Sequence, residues 1–166
     1  MTTDKPTILL VEDNPSDSIL MRAALDRAGV VHHLQVVGDG EEAIKYLVGN
    51  GQYADRLLFP MPRLVLLDLG LPKKSGFEVL DWIRQLPVPA AFDVVVVSAT
   101  NAMDEVARAY DFGARSFIVK PNSLEDLVEL VRPLEGYLNR QQGSALPLGP
   151  TIERPLTLQG RAPSDL

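Results

Sequence analysis

Four consecutive apolar residues, Leu64-Val65-Leu66-Leu67, constrain the fold of this chain most, because they predict a strand that is buried on both faces. Strands of this kind belong to parallel sheets that have helices on either side. The apolar run ends at Asp68, and residues 69–76 contain two glycines, a proline and two lysines, which indicate a loop. Asp68 is therefore predicted at the carboxyl edge of a parallel sheet, where open α/β sheets bind their ligands.

Similar short runs recur along the chain and alternate with helical patterns. Further strands are predicted at Thr7–Val11, His33–Val37, Val94–Val97 and Arg115–Val119. Helices are predicted from Pro15 to Ala28, Glu41 to Val48, Phe77 to Leu86, Met103 to Phe112, and Leu124 to about Leu138. The alternation predicts right-handed βαβ crossovers and an α/β fold with a doubly wound, five-stranded parallel sheet.

Several helix details follow from single residues. Asn14 is predicted to cap the first helix, with Pro15 in its first turn. The buried stripe of that helix is predicted to consist of Ile19, Leu20, Ala23, Ala24 and Ala28. Pro133 lies inside the last predicted helix and is expected to kink it, because proline removes one backbone hydrogen bond.

Two other regions give weaker signals. Residues 52–63 predict an irregular connection in which Leu57-Leu58-Phe59 is exposed. His32 and His33 lie at the entry to a strand without metal-ligand spacing, so we predict surface residues. Tyr110 is predicted to pack between helices rather than to stack on a ligand.

Composition limits the class of protein. The chain has 166 residues, of which 46% are hydrophobic and 23% charged, as expected for one globular domain. Its net charge of −6 and lack of a basic cluster argue against nucleic acid as a partner. No apolar run approaches the roughly 20 residues of a membrane span, and no cysteine is present. We expect a cytoplasmic protein without a membrane partner.

The composition changes near residue 140. We expect one domain over residues 6–140 and, over residues 141–166, a tail rich in Gly, Pro, Ser and Gln. A disordered tail is the simpler interpretation. The alternative is an extended arm that packs onto a neighbour through Leu146, Leu148, Ile152 or Leu156. Neither form provides a separate output domain, which argues against a DNA-binding regulator.

Four of the predicted strands deliver polar residues at their carboxyl ends, and these ends lie along one edge of a parallel sheet. The residues are Glu12 with Asp13, Asp68, Ser98 and Lys120. Crowded carboxylates need a counter-charge, and Mg²⁺, or Mn²⁺ in its place, suits oxygen ligands of this kind. Asp68 is then a candidate nucleophile toward phosphorus, with Lys120 and Ser98 available to stabilise the phosphoryl oxygens.

Each of these residues also has an ordinary structural interpretation. Glu12 and Asp13 alone would suit a solvated turn, Ser98 a strand end, and Lys120 a surface charge. Their occurrence at four strand ends of one sheet favours a functional site.

The set resembles the receiver domain of two-component response regulators over roughly residues 6–138. The resemblance is carried by Leu10-Val11-Glu12-Asp13-Asn14, Leu67-Asp68-Leu69-Gly70-Leu71-Pro72 with Gly76, Val97-Ser98-Ala99 and Val119-Lys120-Pro121. It implies the flavodoxin-like (CheY-like) fold with strand order 2-1-3-4-5.

The same resemblance implies a role for each matching residue. Asp68 would accept the phosphoryl group, while Glu12, Asp13, Asp68 and the backbone carbonyl of Gly70 would bind Mg²⁺. Ser98 and Lys120 would contact the phosphoryl group, Ser98 and Phe117 would form the switch, and the bond before Pro121 would be cis. The lifetime of the phosphorylated state is not predicted, because Gly70 and Thr100 occupy positions that tune it in receivers.

The implied function is that of a stand-alone response regulator phosphorylated by a sensor histidine kinase, with at most self-catalysed transfer and dephosphorylation. Receivers commonly dimerise through helix 4, strand 5 and helix 5, so a homodimer is expected, which the C-terminal arm could extend. The connection at 52–63 and the missing output domain resemble small regulators paired with phytochrome-type kinases. Lys73 and Lys74, beside the acidic edge, are expected to influence kinase docking or the approach of the phosphodonor.

Two other functions fit parts of the sequence. An aspartyl phosphatase would use a second aspartate two residues after the nucleophile, but Gly70 stands there. A receiver that acts as a phosphorylation-independent binding module would not need the phosphorylation residues that this chain retains.

Overall fold

The computed structural model describes residues 5–30, 32–87, 90–140 and residue 152. Five parallel strands form one sheet in the order β2-β1-β3-β4-β5, which confirms the predicted fold. The strands are β1 (Thr7–Val11), β2 (His33–Val37), β3 (Pro62–Leu67), β4 (Asp93–Ser98) and β5 (Ser116–Val119). The helices are α1 (Pro15–Arg27), α2 (Gly40–Val48), α3 (Gly76–Arg84), α4 (Met103–Asp111), α5 (Leu124–Val131) and α6 (Leu134–Leu138), and a 3₁₀ turn spans Gly51–Tyr53.

The strand register brings the polar strand ends together. Val11 at the end of β1 pairs with Leu67 at the end of β3, so Glu12 and Asp68 leave the sheet side by side. On the other side of β3, Leu67 pairs with Val96 of β4. At the next junction Ser98 pairs with Val119, the residue before Lys120. The polar residues therefore share one edge of the sheet, as the sequence predicted.

Helices cover both faces of the sheet. Neighbouring residues of a strand point to opposite faces, so each strand packs against both helix layers. Leu9 and Val11 of β1 face one layer, where α2, α3 and α4 pack. Ile8 and Leu10 face the other layer, where α1, α5 and α6 pack. None of the helices in the described ranges is long and apolar enough to cross a membrane.

The predicted buried stripe of α1 is partly wrong. Ile19 is 67% exposed and Leu20 is 44% exposed, whereas Met21, Ala24 and Leu25 are buried. The helix carries apolar residues on two overlapping stripes, and the one with spacings of three and four from Met21 faces the sheet. Asn14 does cap α1, since its Oδ1 accepts a hydrogen bond from the Ser16 amide at 2.9 Å.

The last predicted helix is two helices rather than one kinked helix. The first helix, α5, ends at Val131, and α6 begins at Leu134, directly after Pro133. Proline has no N–H to donate and its ring obstructs the preceding turn, which is sufficient to interrupt the hydrogen-bond ladder. Ser123 caps α5 by accepting a hydrogen bond from the Asp126 amide at 3.1 Å.

The prediction that His32 is a surface residue is wrong. Its side chain is only 3% exposed, and its Nε2 lies 2.9 Å from Glu135 Oε2 on α6. Its partner is more than a hundred residues away in the chain, so no local pattern could have indicated the burial. His33 is exposed, as predicted.

The connection before β3 also departs from the prediction at one residue. Leu57 and Leu58 are exposed as expected, but Phe59 packs edge-on against Tyr46 and Tyr53. These aromatic rings fix the connection to α2.

Candidate functional site

Lys120 joins two of the predicted strand ends directly. Its Nζ lies 2.9 Å from Glu12 Oε2 after β1 and 2.9 Å from Asp68 Oδ2 after β3. Glu12 and Asp68 are largely buried, with side chains 5% and 13% exposed. Groups that are 108 and 52 residues apart in sequence therefore form one ion cluster at the edge of the sheet.

A third carboxylate, which the sequence analysis did not identify, completes the cluster. Asp17, in the first turn of α1, places Oδ2 at 2.9 Å from Lys120 Nζ. Asp17 lies four residues after Asp13 and is the third residue of α1. That spacing would have brought its side chain back toward the edge of the sheet, but it resembles an ordinary acidic residue in a first helical turn.

Glu12, Asp13 and Asp68 also have the arrangement of a metal site. Carboxylate oxygens from the three residues lie within 4.8 Å of one another. Asp13 is exposed, so the cluster opens to solvent. Hard oxygen ligands with access to water suit Mg²⁺, which usually keeps several waters and uses one or two carboxylates. The donor set therefore fits the predicted divalent cation.

Backbone amides orient two of these carboxylates. The Asn14 amide donates to Glu12 Oε1 at 3.1 Å, and the Gly70 amide donates to Asp68 Oδ1 at 3.1 Å. Both carboxylates keep their other oxygen for Lys120. The backbone N–H of Gly70 thus orients the Asp68 carboxylate.

Gly76 supports the Asp68 loop by close backbone packing. A Cβ at Gly76 would lie 2.3 Å from the Asp68 carbonyl oxygen and 2.6 Å from the Leu69 Cα. The Gly76 amide donates to the Leu69 carbonyl at 3.0 Å. Only a residue without a side chain allows α3 to begin this close to the end of β3.

Burial and hydrogen bonding have opposite effects on the pKa values of Glu12 and Lys120. Burial raises the pKa of Glu12 above its usual range, and hydrogen bonds from Lys120 and the Asn14 amide offset only part of that effect. Burial alone would lower the pKa of Lys120, but hydrogen bonds to Glu12, Asp17 and Asp68 hold it above its ordinary value. Lys120 therefore stays positively charged, and its one ammonium faces three carboxylates.

Ser98 lies at the end of β4, buried to 5% exposure. Its Oγ accepts a hydrogen bond from the Thr100 amide at 3.3 Å, and Thr100 Oγ1 accepts one from the Ala102 amide at 3.1 Å. The Lys120 amide donates to the Ser98 carbonyl at 2.8 Å, but among the hydrogen bonds of the described residues the Ser98 hydroxyl has none to Asp68 or to the Lys120 ammonium. The structure thus places Ser98 at the same edge of the sheet, with its hydroxyl hydrogen-bonded within the loop that follows β4.

Phe117 lies in β5 three residues before Lys120, and Pro121 directly follows Lys120. The Phe117 side chain is fully buried, and its amide donates to the Tyr110 hydroxyl at 3.2 Å. Pro121 lines a cavity together with Asp68 and Lys120. Tyr110 therefore does more than pack between helices, since its hydroxyl also donates to the Ile152 carbonyl at 2.5 Å.

Ile152 is the one described residue of the predicted tail. Its amide donates to the Phe117 carbonyl at 2.9 Å, as an antiparallel bridge at the outer edge of β5. Ile152, which belongs to the extended arm that the sequence left open, therefore contacts β5 of its own chain. Leu146, Leu148 and Leu156 lie outside the described residues.

Lys73 and Lys74 lie in the loop after β3, as predicted. Lys73 Nζ is 3.7 Å from Asp39 Oδ2, and its side chain is 60% exposed. Lys74 packs its backbone against Gly40, where a Cβ would lie 2.0 Å from the Lys74 carbonyl oxygen. The loop is thus anchored to the start of α2, while Lys73 and Lys74 are both exposed to solvent.

Comparison with known proteins finds similar proteins among response regulators. The response regulator receiver domain family matches residues 8–132. Response regulator Rcp1 from Synechocystis sp. is 37% identical over 130 residues, which cover 78% of this chain and 86% of Rcp1. A solved structure of Rcp1 is described as its Mn²⁺-bound form, with 36% identity, a TM-score of 0.71, and coverage of 82% of this chain and 96% of that one.

Two further solved structures are similar. Response regulator RPA3017, described in red light signaling of R. palustris, has 32% identity and a TM-score of 0.76, and covers 86% of this chain and 98% of its own. The phosphorylated cyanobacterial phytochrome response regulator RcpA has 38% identity and a TM-score of 0.72, and covers 81% and 94%. The family match spans most of this chain, and the chain belongs to the response regulator receiver domain family.

Proposed function

We propose that this protein is a response regulator that accepts a phosphoryl group on Asp68 from a histidine kinase in a Mg²⁺-dependent reaction. The observation that carries the proposal is the contact of one ammonium, Lys120 Nζ, with both Glu12 and Asp68 beside a cluster of three carboxylates. This geometry provides a nucleophile, a cation for the phosphoryl oxygens and oxygen ligands for a metal.

The proposed reaction is a displacement at phosphorus. An oxygen of the Asp68 carboxylate attacks the phosphorus of a phosphohistidine, and the phosphorus–nitrogen bond breaks. The electron pair of that bond returns to the imidazole, which then takes a proton from water. Lys120 neutralises charge on the phosphoryl oxygens, and Ser98 is proposed to reach them after leaving the Thr100 amide.

Glu12, Asp13 and Asp68, together with the carbonyl of Gly70, are the proposed ligands of Mg²⁺. When bound, the cation supplies charge that lets the acidic cluster accept an anionic group. The support is the 4.8 Å spread of the carboxylate oxygens and the exposure of Asp13. The similarity to Rcp1, which has a Mn²⁺-bound form, indicates that Mn²⁺ substitutes.

Intact mass spectrometry tests this proposal. After incubation with acetyl phosphate and Mg²⁺, the native chain should gain one labile phosphoryl group, and excess EDTA should prevent the gain. Asp68→Asn should gain none, whereas Asp104→Asn on α4 should behave as the native chain. Uptake by Asp68→Asn would contradict the assignment, and lack of uptake by the native chain, from this donor and from a kinase, would favour a phosphorylation-independent binding module.

The kinase is proposed to be a phytochrome-type light sensor. The support is similarity to RcpA, named as a phytochrome response regulator, and to RPA3017, described in red light signaling. A phytochrome kinase should phosphorylate this chain faster than an unrelated histidine kinase does, at a rate that light changes. Equal rates from both kinases would contradict this part of the proposal.

The kinase is proposed to dock on the exposed face of α1. Ile19 and Leu20 are exposed apolar residues on the helix whose first turn carries Asp17, beside the ion cluster. Ile19→Ser should slow transfer from the kinase but leave uptake from acetyl phosphate unchanged. Val48→Ser, at a similarly exposed apolar residue on α2, serves as the control. Equal kinase rates for Ile19→Ser and the native chain would exclude this docking face.

Phosphorylation is proposed to change a homodimer interface on α4, β5 and α5. Phe117 is buried under this face, Met103 is exposed at the start of α4, and β5 is an edge strand. Movement of Ser98 toward the phosphoryl group would leave room for Phe117 to follow. Size-exclusion chromatography with light scattering should show a dimer whose proportion changes after phosphorylation, and a monomer in both states would contradict this.

A further inference from the structure

Lys120 has no free hydrogen-bond donor in this structure. A lysine ammonium has three N–H groups. The three carboxylates of Glu12, Asp17 and Asp68 each lie 2.9 Å from Nζ. An additional anion at this site must therefore compete for one of these contacts.

Asp17 is the carboxylate that the reaction does not need. It lies outside the set of carboxylates that could hold a metal, which comprises Glu12, Asp13 and Asp68. Its side chain is 36% exposed, against 5% for Glu12 and 13% for Asp68. Its position in the first turn of α1 also favours a negative charge, because the amino terminus of a helix carries partial positive charge.

The charge of Asp17 opposes the arrival of a phosphoryl group in two ways. It occupies one donor of Lys120 that would otherwise be available to a phosphoryl oxygen. It also adds a negative charge next to a site that must take up a group carrying roughly two negative charges. Since Asp17 is held on a regular helix, it cannot move far from the site without distorting the first turn.

We propose that Asp17 is a positioning residue that holds Lys120 in the resting arrangement and thereby slows the phosphorylation of Asp68. This inference rests on the proposed function of Asp68. Release of the Asp17 contact would accompany uptake, because water can replace Lys120 at a partly exposed carboxylate more easily than at a buried one.

The test is the initial rate of phosphoryl uptake from acetyl phosphate with saturating Mg²⁺. In this reaction the oxygen–phosphorus bond of the donor breaks, acetate leaves with the electron pair, and a bond forms between phosphorus and Asp68. Asp17→Asn should increase the rate about two- to fivefold, the range that loss of one partly exposed ion pair allows. The increase should shrink at high salt, because ions screen an exposed charge.

Two variants separate charge from structure. Asp17→Glu keeps the charge and should restore a rate close to that of the native chain. Asp26→Asn, further along α1 and exposed, removes a charge far from Lys120 and should leave the rate unchanged. A structural role for Asp17 would instead slow uptake in the asparagine variant and lower its thermal midpoint without any salt dependence.

The outcomes distinguish this inference from the proposed function. If the native chain takes up phosphate and Asp17→Asn is no faster, the inference is wrong and the function of Asp68 stands. If Asp17→Glu is as fast as Asp17→Asn, charge is not the cause and the inference is also wrong. If no variant takes up phosphate, the proposed function fails and the inference fails with it.

Discussion

Lys120 dominates the electrostatics of the site at the scale of single residues. One ammonium contacts three carboxylates, and those contacts hold its pKa above the ordinary value despite partial burial. It therefore acts as a built-in counter-ion for Glu12 and Asp68. A divalent cation that binds these carboxylates has to share them with Lys120.

Replacing Lys120 by methionine separates these two roles. Lys120→Met keeps an unbranched apolar stem but leaves Glu12 and Asp68 without their cation. We expect Mg²⁺ to bind about three- to tenfold more tightly, because one competing positive charge is lost. Uptake from acetyl phosphate should fall at least about 100-fold, as expected on removal of a donor to developing negative charge.

Calorimetric Mg²⁺ titration and intact mass measure the two effects. Lys45→Met, on the exposed side of α2, is the matched control and should change neither. Weaker Mg²⁺ binding by Lys120→Met would show that Lys120 organises the carboxylates instead of competing for them.

Gly76 provides a second prediction at this scale. Gly76→Ala would place a Cβ 2.3 Å from the Asp68 carbonyl oxygen, so the Asp68 loop or the start of α3 has to shift. The free energy of unfolding in urea should fall by about 1–3 kcal/mol. Gly136→Ala on α6, where the nearest atom is 3.8 Å away, should be neutral or stabilising. Equal stability of the two variants would show that the backbone does not need this close approach.

The sequence predicted the residues of the site better than their contacts. Glu12, Asp13, Asp68 and Lys120 each follow an apolar strand, and the parallel register brings them together. Asp17 could not be distinguished by the same argument, because its contact depends on where α1 packs. Ser98 was placed at the correct edge, but its hydrogen bond to the Thr100 amide depends on the loop conformation.

At the scale of elements, the outer edge of β5 is the region where the proposed switch residue Phe117 contacts Ile152 of the tail. The Phe117 carbonyl accepts a hydrogen bond from the Ile152 amide, and Tyr110 contacts both residues. A movement of Phe117 would therefore disturb the Ile152 contact. The tail and the proposed switch are linked through one strand residue and one hydroxyl.

Tyr110→Phe tests this link by removing only the hydroxyl. The Ile152 amide should exchange its hydrogen with solvent faster in the variant, because the Ile152 carbonyl loses its partner and the Phe117 bridge is weakened. Hydrogen–deuterium exchange with peptide resolution measures the effect. Tyr137→Phe, which removes a different hydroxyl that contacts Asp93, is the control and should leave the Ile152 exchange unchanged. Unchanged exchange in Tyr110→Phe would show that Tyr110 does not hold the tail.

The elements themselves were largely predictable, and the exceptions have physical causes. Strand order and helix alternation follow from the apolar runs, and all five strands lie where they were predicted within a few residues. The burial of α1 was misjudged because two apolar stripes overlap on it. His32 was misjudged because its partner, Glu135, lies on α6, far away in the sequence. Pro133 separates this helix from α5.

At the scale of the whole molecule, the sheet edge joins the proposed acceptor, its counter-ion and the strand of the proposed switch residue Phe117 into one unit. Asp68 directly follows β3, Lys120 directly follows β5, and Phe117 lies three residues before Lys120. Phosphorylation at Asp68 would change the partners of Lys120 and thereby the outer face of β5. All of these effects require that the phosphoryl group is attached to Asp68 itself.

Reductive trapping with borohydride identifies the aspartate that carries the phosphoryl group. The chain is treated with acetyl phosphate and Mg²⁺ and then with sodium borohydride, which reduces an aspartyl phosphate to homoserine and leaves free carboxylates unchanged. Peptide mass spectrometry should find homoserine at position 68, with none at Asp13 or Asp17 and none when EDTA is present. Homoserine at another aspartate, or an unmodified position 68 in a chain that has gained a phosphoryl group, would show that Asp68 is not the acceptor.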